Sequence, residues 1–233
     1  MIIHGDCLTE LQQLPADSID CVFTDPPFGI GEGSFQQSFH SARDESYVVD
    51  DYIEAPDDYA LFSQRWIEQL PRIMKPGASG FIVSGWSQLR HIENALATTE
   101  LIPINHIIWQ YNFGVHTRNK FVSSHYHILF FQKKGKRTFH RFVESDNTKE
   151  SYHHRQDVWF IKKEYKPKQL KTSNSLPIQL VKKALMYTTN ENDVVLDCFA
   201  GSGTTLVAAK QMNRKFIGIE KSAQYVQMIK DRL

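Results

Sequence analysis

"VVLDCFAGSGTTLVAAK", residues Val194 to Lys210, passes through three kinds of local structure in a short span. Val194 to Asp197 reads as a buried strand, Phe199-Ala-Gly-Ser-Gly203 as a loop, and Thr204 onward as a helix. The glycines Gly201 and Gly203 allow a tight turn and a close approach of backbone to a ligand. Thr204 or Thr205 is placed to cap the helix, whose free N–H groups suit an anionic group. The spacing is not that of a triphosphate loop, since no lysine follows Gly203, and the full Gly-x-Gly-x-x-Gly of dinucleotide binders is missing. The next strand, Lys215 to Ile219, runs into Glu220, an acid placed to accept hydrogen bonds from ribose hydroxyls. Loop and acid together imply an adenosine-like ligand that carries a carboxylate, a description S-adenosylmethionine fits.

The same alternation extends outward along the chain. Ile19 to Thr24, Gly80 to Ser84, Ile104 to Trp109, His127 to Gln132 and Asp193 to Asp197 read as short buried strands. Helical patterns fall between most of them. From Asp57 to Met74 the apolar Tyr59, Phe62, Trp66, Leu70 and Ile73 recur at three or four, and Pro76-Gly77 is read as the stop. Leu176 to Tyr187, Thr204 to Met212 and Ser222 to Leu233 have the same character. Strands alternating with helices predict an α/β fold, a mainly parallel sheet covered by helices on both faces.

With 233 residues, 41% hydrophobic and 23% charged, the chain is long enough for one full core and ordinary for a globular protein. No run of 18 apolar residues and no basic-then-apolar leader occurs, so no membrane contact is expected and the cytoplasm is the expected location. Cys7, Cys21 and Cys198 have no metal-like spacing and read as buried thiols of a reducing compartment. The ten histidines form no His-Glu-x-x-His or Cys/His set, and no metal is expected. Net charge is +1 but unevenly spread. Lys133 to Lys171 holds twelve Lys/Arg against five acids, while Arg43 to Asp58 holds seven acids against one base. The basic stretch breaks the strand–helix alternation and reads as an insertion that a polyanion would prefer.

A second stretch, "CVFTDPPFGIG" at Cys21 to Gly31, starts as a strand and stops at Asp25-Pro26-Pro27-Phe28. Two prolines cannot continue a ladder, so a rigid turn leaves the strand there. The pairing of Thr24-Asp-Pro-Pro-Phe28 with Asp197-Cys-Phe-Ala-Gly-Ser-Gly-Thr-Thr205 resembles the amino-methylating DNA methyltransferases, which act on exocyclic amines of adenine or cytosine. With the catalytic motif first and the cofactor loop last, the order is similar to the circularly permuted beta class. His4-Gly-Asp6 resembles that family's adenine-contacting strand end. Trp109 followed by Phe121 to Phe131 resembles its strand before the recognition region. Where members usually carry Thr-Gln-Lys-Pro, this chain has Asn174-Ser-Leu-Pro177; proline and helix remain and the lysine does not.

The resemblance implies a Rossmann-like S-adenosylmethionine-dependent methyltransferase fold with residues 1–132 as catalytic part, 133–171 as basic target-recognition insertion and 172–233 as cofactor part. It implies catalysis by Asp25, Pro26, Pro27 and Phe28, and cofactor contacts from Asp6, Asn174, Asp197, Phe199, Gly201, Ser202, Gly203, Thr204, Thr205 and Glu220. DNA is the expected partner, with Lys133, Lys134, Lys136 and Arg137 on phosphates and Phe121 either near the base or in the core. A homodimer or a second subunit is also expected. The expected product is N6-methyladenine, because Asp before Pro-Pro is more typical of adenine enzymes in that family and Ser of cytosine ones. Three alternatives stay open: cytosine-N4 methylation, an RNA or protein acceptor, and an inactive cofactor-binding partner subunit.

Overall fold

The computed structural model describes residues 1–27, 58–112, 118–119, 121–141, 155–163 and 175–233. In chain order its elements are β1 (Ile2–His4), α1 (Cys7–Gln13), β2 (Ile19–Thr24), α2 (Tyr59–Ile67), α3 (Leu70–Ile73), β3 (Met74–Ser84) and α4 (Leu89–Ala97). There follow β4 (Ile102–Gln110), β5 (His125–Gln132), β6 (Val158–Phe160), α5 (Ile178–Thr188), β7 (Val194–Asp197), α6 (Thr204–Gln211), β8 (Lys215–Glu220) and α7 (Ala223–Arg232). Among the described residues the strands form one sheet in the order β1-β8-β7-β2-β3-β5-β4-β6. Every pairing is parallel except those of β5, which runs antiparallel to both β3 and β4. The α/β class and the mainly parallel sheet are therefore as the alternation predicts.

Alternation along each strand divides the core into two layers. Val22, Ile82, Leu129, Phe131 and Leu196 point to the side covered by α1 to α4, where Leu11, Trp66, Leu70 and Ile92 are fully buried. Cys21, Phe23, Phe81, Val83, Phe130 and Val195 point to the other, covered by Leu180, Val181 and Leu185 of α5 and Ala208 and Ala209 of α6. α7 closes a smaller cluster through Ile229 against Leu206 and Ala200. Cys7, Cys21 and Cys198 are buried and unpaired. Burial holds the Cys21 thiol protonated, its pKa pushed up to about 12. No helix among the described residues is long and apolar enough to cross a membrane.

Some boundaries differ from expectation for identifiable reasons. The helix expected over Asp57 to Met74 is two helices, because Pro71 opens α3 and lacks the N–H that would continue α2. Pro76-Gly77 does not stop it; both lie inside β3. The β2–β3 register jumps from Ile19↔Met74 to Cys21↔Ser79, so they occupy the bulge, where a proline owes the ladder no hydrogen bond. β6 falls within the stretch expected to be an insertion, yet it pairs with β4 and buries Trp159. Three residues with one inward side chain are too few to show a period.

Candidate active site

β1, β8, β7 and β2 run parallel, so His4, Glu220, Asp197 and Thr24 all end at one edge of the sheet. From β7 the chain proceeds to β8 on one side; from β2 it proceeds to β3 on the other. Such a switch point opens a crevice above the strand ends, the usual ligand site of an open α/β sheet. At this point the Thr24 hydroxyl donates to Asp197 Oδ1 at 2.9 Å. The same oxygen accepts the Phe199 N–H at 3.1 Å, and the Thr205 hydroxyl also bonds the carboxylate. Burial raises the Asp197 pKa to about 6 against those three donors, with the Glu220 charge adding to the rise. The two motifs, far apart in sequence, thus share one hydrogen-bonded node.

From that node the glycine loop runs over β8. Ala200 N–H donates to Ile219 O at 2.9 Å, and Gly203 N–H closes the turn onto Ala200 O at 2.7 Å. Gly201 and Gly203 adopt φ of 49° and 82°. A Cβ on Gly203 would meet Ile229 Cγ1 at 2.9 Å, so this glycine serves the packing of α7. A Cβ on Gly201 would find nothing closer than Phe199 O at 4.0 Å, so its surroundings are open for a ligand to approach the backbone. Glu220 Oε2 accepts the Gly201 N–H at 2.7 Å and Oε1 the Ser222 N–H at 2.8 Å. Each oxygen keeps capacity for a further donor. Burial holds this carboxyl above the usual range.

Other expected cofactor residues have structural duties here as well. Thr204 and Thr205 do not cap α6: Gly203 is the cap residue and no side chain bonds there. Thr205 turns instead to Asp197. The Ser202 hydroxyl lies 2.9 Å from that of Ser175 and accepts from Arg232 at 3.0 Å, tying the loop to the stretch before α5 and to α7. Phe199 packs against Phe62 and Trp66, with ring centroids at 5.7 and 5.3 Å. Asp6 caps α1 by accepting the Leu8 N–H at 3.0 Å and pairs with Lys221 at 3.0 Å, next to the end of β8. Asn174 lies outside the described residues.

The turn leaving β2 carries Asp25, Pro26 and Pro27; Phe28 lies outside the described residues. Asp25 Oδ1 is buried with no hydrogen-bond partner among the described residues. A buried acceptor left open is costly unless something fills it, so this atom marks where a donor belongs. Burial raises the Asp25 pKa well above the carboxylate range; the neighbouring Asp197 raises it further and Lys163 opposes both. The Lys163 ammonium stands 4.6 Å from the Tyr111 ring, 4.8 Å from Tyr126 and 5.8 Å from Trp109. Sequence reading passed over Lys163 as one base in a charged run. Alternation across the β4–β5 hairpin, which sets Trp109 opposite Tyr126, is the signal that could have found the rings.

The expected DNA contacts separate. Phe121 is 99% exposed in the β4–β5 connection, at the edge where β2 and β3 end, so core packing is not its role. Lys133, Lys134, Lys136 and Arg137 follow β5 at the opposite edge, where β2 and β3 begin, and are not brought to the crevice. Lys133 binds Asp17 at 2.8 Å and Met74 O at 2.9 Å. Arg137 lies over Phe130 and Phe139, at 5.2 and 5.5 Å. The antiparallel course of β5 decides this, since it carries the residues after Gln132 away from the strand ends. Among the described residues no group of His, Cys, Asp or Glu is arranged to hold a metal ion.

Comparisons with known proteins agree with this fold. Residues 19–231 match the family described as DNA methylase, whose members modify N6 or N4 amines. The type II methyltransferase M.HinfI of Haemophilus influenzae is 29% identical over 251 residues, covering all of this chain and 67% of its own length. The structure of the M1.HpyAVI–SAM complex superposes with a TM-score of 0.70 at 24% identity, covering 100% of this chain and 98% of that one. The cytosine-N4-specific PvuII DNA methyltransferase gives a TM-score of 0.78 at 17% identity, covering 100% and 85%.

Proposed function

The chain belongs to the N6/N4 DNA methylase family, and we propose that it methylates the exocyclic amine of a flipped-out adenine in DNA, using S-adenosylmethionine. The observation that carries the reading is the open, buried Oδ1 of Asp25 beside the Thr24–Asp197 node. Gly201 with its unfilled space, Glu220 at the end of β8 and Asp6 next to it suit the loop-and-ribose contacts of an adenosine ligand. When bound, that cofactor supplies a methyl group on a positively charged sulfur.

The protein's own part is to prepare the amine. Its lone pair is delocalised into the base ring and makes it a poor nucleophile. Asp25 accepts one amino N–H and the Pro26 carbonyl accepts the other, drawing the nitrogen toward tetrahedral geometry. Pro26 and Pro27 hold that carbonyl in place before the base arrives, so the stabilisation is preorganised rather than covalent. The buried, inert thiols fit a direct transfer without a cysteine nucleophile. Flipping the base out of the duplex costs a few kcal/mol, offset by stacking and edge hydrogen bonds. Phe28 stacks on the base in this reading, and exposed Phe121 at the same edge contacts the nucleic acid.

The acid heading the turn supports adenine over cytosine. Labelled methyl transfer to duplex DNA, followed by digestion and identification of the nucleoside, tests the assignment. N6-methyladenine is expected. N4-methylcytosine would transfer the same chemistry to the other base, and label found only in RNA or protein would reject the proposal.

A further inference from the structure

We propose that Arg232, at the end of α7, is a positioning residue for the cofactor: it pins the Ser202 peptide, so that the glycine loop already has the shape that receives the carboxylate end of S-adenosylmethionine. This deepens the cofactor part of the reading above and does not depend on which base is methylated. Ser202 stands between Gly201 and Gly203, whose φ values are 49° and 82°. Glycine backbone reaches such values, and many others, at little cost. A loop governed by those two residues alone would have to be ordered by its ligand, and that ordering weakens binding.

Three contacts remove the freedom in advance. The Arg232 guanidinium donates to Ser202 O and, at 3.0 Å, to Ser202 Oγ, so it holds both the main chain and the side chain of the residue between the glycines. The Ser202 hydroxyl also lies 2.9 Å from that of Ser175, in the stretch before α5. One turn earlier on α7, Ile229 fills the space beside Gly203, where a Cβ would come within 2.9 Å of Ile229 Cγ1. Ile229 and Arg232 are three positions apart and meet the loop from the same side of the helix.

α7 is itself set by the other end of the site. Its cap residue is Ser222, whose N–H donates to Glu220 Oε1 at 2.8 Å, while Glu220 Oε2 accepts the Gly201 N–H at 2.7 Å. The helix therefore begins at the acid suited to ribose hydroxyls and ends at the loop suited to a carboxylate, and it fixes one against the other. Gly203 brings no side chain to the first N–H groups of α6, and Arg232 places a positive charge one residue before that cap. Both Arg232 bonds are exposed to solvent, so the fold owes them little.

Calorimetric binding to the free protein tests this with two ligands, S-adenosylmethionine and 5′-methylthioadenosine, which keeps the nucleoside and lacks the amino-acid end. Arg232→Gln should weaken S-adenosylmethionine about tenfold, the cost of ordering roughly one residue. Binding of 5′-methylthioadenosine should change by less than about twofold, and the melting temperature of the unliganded protein by less than about 2 °C. Amide exchange at Ser202 and Thr204 should be faster in the unliganded variant. Arg232→Lys keeps a donor for the Ser202 carbonyl and should recover most of the affinity. Equal losses for the two ligands, or an Arg232→Gln affinity equal to wild type, would overturn the inference while leaving the cofactor assignment intact. Wild type that binds neither ligand would overturn the cofactor assignment, and the inference with it.

Discussion

Thr24 and Asp197 stand 173 positions apart in the chain and share a hydrogen bond of 2.9 Å at the ends of the neighbouring strands β2 and β7. It joins the residue before the catalytic turn to the residue before the cofactor loop, so a buried contact continues the β2–β7 pairing to the point where the two loops leave the sheet. Thr24→Val keeps the shape and removes the donor. It should cost about 1–2 kcal/mol, read as a lower urea midpoint with an unchanged slope. Thr24→Ser, which keeps the hydroxyl, should lie near wild type.

Asp197 gives stability a pH dependence of definite sign. Its folded pKa, about 6, is above its ordinary value, so the protonated form is the one the fold favours. The stabilisation is complete below the ordinary carboxylate pKa and is lost as pH rises through about 6. Asp25, raised for the same first cause, adds in the same direction. Asp197→Asn should flatten the dependence of melting temperature on pH between about 4 and 7. A wild-type melting temperature that climbs over that interval would contradict the assignment.

Asp25→Asn should separate catalysis from folding. It removes a buried charge, so thermal stability should hold or rise, while methyl transfer should fall by at least about a hundredfold. Cofactor binding, measured by calorimetry, should stay within about twofold, since the loop that forms the cofactor site does not touch the substituted atom.

Gly201→Ala puts a methyl group into open space on the crevice side at a backbone φ of 49°. The left-handed conformation should cost the fold about 1 kcal/mol. Cofactor affinity should fall by more than that cost explains, because the methyl occupies the approach to the backbone. Equal losses in the two measurements would assign this glycine to the turn alone.

Phe121→Ala should leave the melting temperature unchanged, since the ring is 99% exposed. Loss of a stacking surface for a base should weaken DNA binding by roughly 1–3 kcal/mol. Fluorescence anisotropy with a labelled duplex reads that difference.

The alternation, the site-forming strands at Ile19–Thr24 and Lys215–Ile219 and both motifs are legible in the sequence because they are local: a strand of apolar residues, a proline turn and a glycine loop declare themselves within ten positions. The sequence also placed Asp25, Asp197 and Glu220 at strand ends, which a parallel sheet must gather at one edge. Which residue faces which is settled by the pairing of distant strands. Thr204 and Thr205 look like caps in sequence, but the helix begins at Thr204 with Gly203 as its cap residue, and Thr205 spends its hydroxyl on Asp197. Lys133 to Arg137 read as a nucleic-acid patch until the antiparallel turn of β5 carries them to the far edge. Lys163, from the same basic run, is instead drawn over the rings of Trp109, Tyr111 and Tyr126, which come from other parts of the chain. Charge and periodicity are properties of a segment; burial, pKa and partnership depend on strand order and direction, which are settled only when distant segments pair.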